Sequence, residues 1–393
     1  MAVTIYDEPQ LISPAGNPLV FTFSSDQTGQ PNFSFVVEVY IEGQLRITQE
    51  VFRQFNTLSR IDVSEAVQSV IANPQISTAI EYDATDSMVE YYIIVYEKYG
   101  TTPTIQASDT SSTLLSFNGA LEHPDWINFN YDDYDPWQTN YAKFLTFFPS
   151  DTSRALCGMD ENYYLGYFEQ TGAQTATLTI NLFDISGNNI AYGSYNITES
   201  EFVILNVGPQ VIIDNTAITQ LDFDDCYYYT IRVELTDIST ELFTIYMDLD
   251  CKRYQTYRLH WLNKLGSWDS FTFALVSTDT ATVDSFGYQR DPGVWDNTSY
   301  TYPLYQGQKV NYAKTKTKQL TLNSDWISED VQNWLVQSLY DSPLVYMEAE
   351  NGTQFEPVKV TNSNYTLKKR RRDGLIQETV TIERTYTYRS QLN

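Results

Sequence analysis

From residue 33 to residue 41 the chain alternates in a way only a strand explains. Phe33, Phe35, Val37, Val39 and Ile41 fall on one side, with Ser34, Glu38 and Tyr40 among those opposite. Glu42-Gly43 then predicts a hairpin turn into a second strand over 44–50. Strands are also predicted over 19–23 and 88–99, with Pro14, Pro18, Gly29 and Pro31 punctuating the first part of the chain. One stretch changes period. Val63, Ala66, Val67, Val70 and Ile71 share a helical face, Asp62 and Glu65 have capping-box spacing, and Asn73-Pro74 stops the run. Residues 1–103 thus read as a β domain with one helix, and the Thr, Ser and Pro of residues 100–112 as a boundary.

The same patterning runs through the rest. Over 113–251 strands are predicted at 143–148, 175–184, 189–197, 201–206 and 211–213, separated by turns such as Ser186-Gly187-Asn188-Asn189. Short strands at this spacing predict a sandwich. A hairpin follows, 226–236 against 241–251. If Thr236 faces Glu241, Cys226 and Cys251 face each other at its open end; two free apolar thiols are the plainer expectation. Residues 252–393 predict strands at 258–262, 270–277 and 309–322, then a helix. Ser328 caps that helix, Glu329 and Asp330 sit at its positive end, and Val331, Trp334, Leu335 and Leu339 form its apolar face. Strands at 344–348 and 357–361 come next, then a long hairpin turning at Asp373-Gly374 that pairs Leu367 with Val380 and Tyr365 with Ile382. The fold class expected is mainly β: a multi-domain β-sandwich or β-barrel architecture with isolated short helices.

Residues 257–273, YRLHWLNKLGSWDSFTF, set Trp261, Trp268, Phe271 and Phe273 around a turn at Asn263-Lys264-Leu265-Gly266. A segment this aromatic, with no acid–base pair, phosphate loop or metal spacing beside it, reads as a packing or contact element. Trp261 and Trp268 are therefore candidate interaction residues.

Charge divides the chain. Residues 1–251 hold 7 Lys and Arg against 35 Asp and Glu, a balance of −28; residues 252–393 hold 17 against 15, a balance of +2. The acidic part repels nucleic acid, whose binding needs Lys and Arg clusters. Excess acid also serves solubility before assembly, or lets acidic and basic ends of neighbouring subunits meet. The largest basic cluster is Lys368, Lys369, Arg370, Arg371 and Arg372, five cations that no sheet would bury. The expectation is a projecting tip that contacts an acidic protein neighbour. Lys314, Lys316 and Lys318 alternate along the preceding strand. The 31 tyrosines reinforce the strand-rich reading. Three cysteines fit a reducing compartment. The opening MAVTIYDEPQ has neither the basic start nor the apolar core of a signal peptide, and no 18-residue apolar run predicts a membrane span.

Chemistry finds little purchase. His123 and His260 are the two histidines, and His260 lies inside a predicted strand between Leu259 and Trp261, so Ser–His and Cys–His catalysis lacks a convincing base. Acids are abundant enough for a two-carboxylate glycosidase, but abundance does not place a pair. The runs 130–135 and 222–225 gather oxygen ligands without a calcium-loop pattern, and no His/Cys spacing suggests zinc. Trp126, Tyr131, Tyr134 and Trp137 could stack on sugars, although core and interface use is commoner. No enzyme, metal or cofactor is expected.

Three segments carry a resemblance: Ser13-Pro14-Ala15-Gly16-Asn17-Pro18, Arg60-Ile61-Asp62-Val63-Ser64, and the decapeptide from Tyr257 to Gly266. In this order they resemble structural proteins of the tail or head–tail region of phages of Bacteroidetes hosts, crAss-like phages included, and the 309–393 pattern extends the likeness. The resemblance implies a virion protein, assembled in the host cytoplasm, forming a homo-oligomeric ring or hub with other tail or head–tail proteins. It also implies a C-terminal domain like the phage tail-tube or hub fold, with a long hairpin. The alternative is a receptor- or glycan-binding tail protein.

Overall fold

The computed structural model describes residues 3–53, 58–169, 176–198, 201–235, 238–249, 253–305, 307–349, 352–361, 375–386 and 388–389. The chain is mainly β, with several sheets and a few short helices. It forms two compact units: Met1–Leu249 with His260–Phe271 and Glu350–Thr353, and the remainder.

The first unit contains two cores. In the first core, a three-stranded sheet orders Thr4–Asp7, Val20–Ser24 and Leu58–Asp62. A larger sheet orders Ile12–Pro14, Leu114–Phe117, Met88–Tyr99, Ser34–Ile41 and Gln44–Val51, with Thr104–Thr110 also on Met88–Tyr99. Alternation drives this packing: Phe35, Val37, Val39 and Ile41 bury against Phe21, Phe23, Tyr91, Ile93 and Val95. Glu42 and Gly43 both take left-handed backbone (φ 51° and 67°), as a primed hairpin turn requires. Residues 104–110, expected as a connector, form a strand because Met88–Tyr99 offers a free edge there.

The second core lies between Ala155–Cys157, Phe243–Met247, Tyr228–Glu234, Thr177–Phe183 and Asn189–Asn196 on one side and Tyr164–Glu169, Glu201–Asn206 and Glu81–Asp83 on the other. Glu81–Asp83 comes from the N-terminal part of the chain, so the two cores share a strand connection.

Several expectations are corrected. Residues 143–148 form no strand, although the Leu145 N–H donates to the Gly166 carbonyl. Residues 211–213 belong to a helix, Pro209–Asn215, which Pro209 starts by supplying a fixed φ where no N–H is needed. The helix expected from Asp62 is Ser64–Gln68, with Val63 at its N-cap. Asp62 instead accepts from the Ser64 and Leu19 N–H groups, tying helix to strand. The cysteine-ended hairpin forms three positions out of the expected register: Tyr228 pairs with Tyr246 and Ile231 with Phe243. The chain turns earlier than expected, because the Thr240 hydroxyl accepts from the Val233 N–H and Leu235 closes on Ile238. Extended, that register puts position 248 opposite Cys226, and Cys251 lies outside the described residues.

In the second unit, the sheet orders Val345–Glu348, Phe355–Val360, Thr379–Arg384, Lys309–Asn323 and Thr278–Gln289, and Trp268–Phe273 lies beside Tyr257–Leu262. Helix Glu329–Leu339 starts as expected: the Ser328 hydroxyl accepts from the Val331 N–H, and Val331, Trp334, Leu335 and Leu339 are buried. Glu378 ties it down, accepting from Gln332 Nε2 (2.7 Å) and the Tyr340 hydroxyl (3.0 Å). Ile382 pairs with Leu320 on one side and Val360 on the other; Tyr365 and Leu367, the partners expected for Ile382 and Val380, lie outside the described residues. Residues 362–374, including that hairpin's turn, lie outside the described residues.

Candidate interaction arm

Among the described residues, one long hairpin of the second unit carries a strand exposed throughout. Thr278–Gln289 pairs with Lys309–Asn323 from Thr278↔Thr321 to Gln289↔Lys309, and all twelve residues of the first strand are exposed. Its Thr, Val, Phe and Tyr residues favour the extended backbone, yet neither face is apolar enough to bury. A bulge between Phe286 and Gly287 adds Tyr312 opposite, which increases local twist. Beyond it a second small hairpin, Val294–Trp295 against Tyr300–Thr301, turns on Asp296. The Asp296 carboxylate accepts from the Thr298 and Ser299 N–H groups, and those bonds hold its pKa below the usual aspartate value.

The end of this arm is aromatic and wet. Trp295, Tyr300, Tyr302 and Tyr305 are exposed, and Leu304 is fully so. Tyr300 and Tyr302 pack ring against ring at 5.5 Å. Large apolar side chains on an extended arm form a contact surface by composition, since interface cores are enriched in aromatics. Thr278–Gln289, at the end of its sheet, is a fully exposed strand whose free edge gains by pairing.

Sequence-predicted site residues fall elsewhere. Lys368, Lys369, Arg370, Arg371 and Arg372 lie outside the described residues. Trp261 and Trp268 are interior, at 0% and 1% exposure, which corrects their reading as contact residues. They flank a turn organised by Asn263, whose Oδ1 accepts from the Leu265 and Ser267 N–H groups while Nδ2 donates to the Leu145 carbonyl and to Asp269. This turn reaches Asn118–Leu121, where the Ala120 N–H donates to the Lys264 carbonyl (2.9 Å) and Lys264 Nζ pairs with Glu122 (2.6 Å). Segment 13–18 meets the same stretch from another side: the Gly16 N–H donates to the Gly119 carbonyl at 2.7 Å. A Cβ at Gly16 would lie 2.5 Å from Ala120 Cβ. Two of the three segments singled out in sequence thus converge on residues 118–121, and the third joins them through Asp62 and Leu19. They build a scaffold.

His260 is buried; its Nδ1 lies 2.7 Å from the Ser270 hydroxyl and the Tyr164 ring packs edge-on against it. His123 is exposed at the start of a single helical turn, His123–Trp126. Among the described residues no three His, Cys, Asp or Glu side chains converge as metal ligands. Of the aromatic group at 126–137, Tyr134 stacks on Phe129, and Trp137 packs against the second core. Burial raises the Tyr134 phenol to about 12.

Sequence reading missed the outer strand of the arm. The usable signal was the run of β-favouring residues in Thr278–Gln289; the misleading one was its lack of an apolar face.

Comparison with known proteins adds little. No family model and no curated protein matches the chain. A solved structure described as "Biofilm associated protein - BSP domain" matches at 10% identity, over 81% of this chain and 62% of that one, with a TM-score of 0.15. The chain thus spans less than two thirds of the structure it matches, and similarity at that score carries no argument.

Proposed function

We propose that this chain is a non-enzymatic virion protein of a tailed phage, a ring or hub subunit of the tail or head–tail junction that acts through subunit contacts. The observation that carries the reading is the arm: a long hairpin whose first strand is exposed throughout, with an aromatic end. Such an arm gives a subunit reach. Docked on a neighbour it buries the side chains that are wet in the single chain, and closure into a ring leaves no contact surface unpaired. The second unit's antiparallel sheet, single packed helix and long hairpin support likeness to tail-tube and hub domains at the level of fold analogy. The segments 13–18, 60–64 and 257–266 support a phage source by resemblance. Assembly takes place in the host cytoplasm, and the partners are further copies of this chain and other tail or head–tail proteins.

The receptor- or glycan-binding reading has less behind it, because Tyr134 and Trp137 of its best aromatic group turn to Phe129 and to the second core. Negative-stain electron microscopy of the purified chain at micromolar concentration tests the proposal. Particles with rotational symmetry are expected. Dispersed single chains, both alone and with head–tail proteins of the same phage added, would overturn it.

A further inference from the structure

Two long strands stand at the end of their sheets among the described residues: Thr278–Gln289 in the second unit and Gln44–Val51 in the larger sheet of the first core. Every residue from 278 to 289 and from 44 to 50 is exposed. An edge strand carries a row of unpaired N–H and C=O groups, which proteins that stay single blunt with lysines, prolines or a very short strand. These two are twelve and eight residues long, and neither contains Lys or Pro. Each has one bulge, near Arg46 and near Gly287, which leaves 278–286 and 47–51 in regular register. Five paired residues span about 17 Å, the length of an ordinary strand pairing.

We infer that Thr278–Gln289 of one copy adds as a strand to the Gln44–Val51 edge of a second copy, extending that sheet across the subunit boundary. This contact rests on the ring reading. Charge selects the occupant. Thr278–Gln289 carries Asp279 and Asp284 and no cation, so pairing it with itself would bring four aspartates into one ribbon. Gln44–Val51 instead brings the exposed Arg46, while its one acid, Glu50, is already paired with Lys98 at 3.2 Å. Both edges also expose apolar side chains, Val283 and Phe286 on one and Leu45 and Ile47 on the other. In an added strand the main-chain bonds supply affinity and the cross-strand side chains select the partner. Pairing of unlike edges is heterologous, and repeated from copy to copy it closes a ring.

The test uses full-length chains blocked at one edge each. One carries Thr280→Lys and Thr282→Lys, the other Thr48→Lys and Gln49→Lys; all four positions are exposed, so circular dichroism and melting temperature should match wild type. At a concentration where wild type assembles, each blocked chain alone should sediment as a single chain, because lysines on an edge oppose strand addition. Mixed one to one at high concentration, the two should form a heterodimer and nothing larger, since one good edge from each remains. A Thr48→Lys, Gln49→Lys chain that still dimerises alone would mean that like edges pair. That result, wild-type assembly by either blocked chain, or a mixture that forms no heterodimer would overturn the contact and leave the ring standing. A second measurement needs no blocked edge. With p-benzoylphenylalanine replacing Phe286, irradiation of mixed ¹⁴N- and ¹⁵N-grown protein should attach position 286 of one isotope to residues 44–51 of the other. Attachment only elsewhere would overturn the contact. Wild type that stays single under every condition would overturn both the contact and the ring.

Discussion

Asn17 and Leu121, 104 positions apart, hold each other by both ends of one amide: Asn17 Nδ2 donates to the Leu121 carbonyl at 2.9 Å, and the Leu121 N–H donates to Asn17 Oδ1 at 2.7 Å. Both residues are buried. Truncation to alanine would strand a donor and an acceptor, each at about 1–3 kcal/mol. Asn17→Ala is therefore expected to cost about 2–4 kcal/mol in urea unfolding, with no change in any surface contact.

The same junction gives a steric test. An added methyl at Gly16 meets Ala120 Cβ at 2.5 Å and the Gly119 carbonyl at 2.8 Å, whereas one at Gly29 meets nothing within 4 Å. Gly16→Ala should cost about 1–3 kcal/mol by overpacking, and Gly29→Ala less than about 0.5 kcal/mol. Equal effects in thermal melts would mean that segment 13–18 does not sit against 119–120.

That junction was hidden in the sequence, while the elements it joins were not. Strands 34–41 and 88–99 were legible because one face of each is buried and the alternation follows. Helix 329–339 was legible from Ser328 and its apolar stripe. The pairing of Asn17 with Leu121 has no local signal, since each partner looks like an ordinary loop residue. Residues 211–213 were misread because a three-residue apolar run has no period; Pro209 was the cue to a helix. Trp261 and Trp268 were correctly read as packing elements and wrongly kept as contact candidates, because aromatic content does not say which side of the surface a ring occupies. The arm's outer strand escaped because a strand exposed on both faces lacks the alternation that buried faces impose.

Stability should depend on pH through Glu169. Burial raises its pKa above the usual glutamate value, with the Asp135 and Glu81 charges adding to the effect and the Tyr167 hydroxyl partly opposing it by donating to Oε2 at 3.1 Å. Glu241 is raised by burial too. A carboxyl raised on folding favours the folded state fully below its unfolded value, near 4.5, and that advantage is lost as pH rises through the folded value. Glu169→Gln removes the ionisation. Its stability relative to wild type should improve as pH rises above about 4.5 and then level off once wild-type Glu169 ionises in the folded state; a difference flat from pH 4 to pH 8 would place the Glu169 carboxylate in water.

Cys157 and Cys226 are buried, and burial pushes the Cys226 thiol up to about 12. With almost no thiolate at neutral pH, Cys226 should resist Ellman's reagent in the native protein and react at once in guanidinium. Rapid native labelling of Cys226, located by peptide mapping, would contradict its burial in the second core.

The end of the arm separates folding from assembly. Trp295, Tyr302, Leu304 and Tyr305 are exposed, so changing each to serine should shift fold stability by no more than about 0.5 kcal/mol per site. The same quadruple variant should lose self-association, because the apolar side chains expected to be buried on docking are gone. A large drop in melting temperature would make the end of the arm part of the fold instead.

Assembly itself is the central claim, and native mass spectrometry of the full-length wild type beside the quadruple serine variant reads it most directly. A subunit that acts through its arm predicts a closed oligomer of one integer stoichiometry for the wild type and a 45.2 kDa single chain for the variant. A wild type that stays at the single-chain mass at every concentration, with or without its virion neighbours, would contradict it.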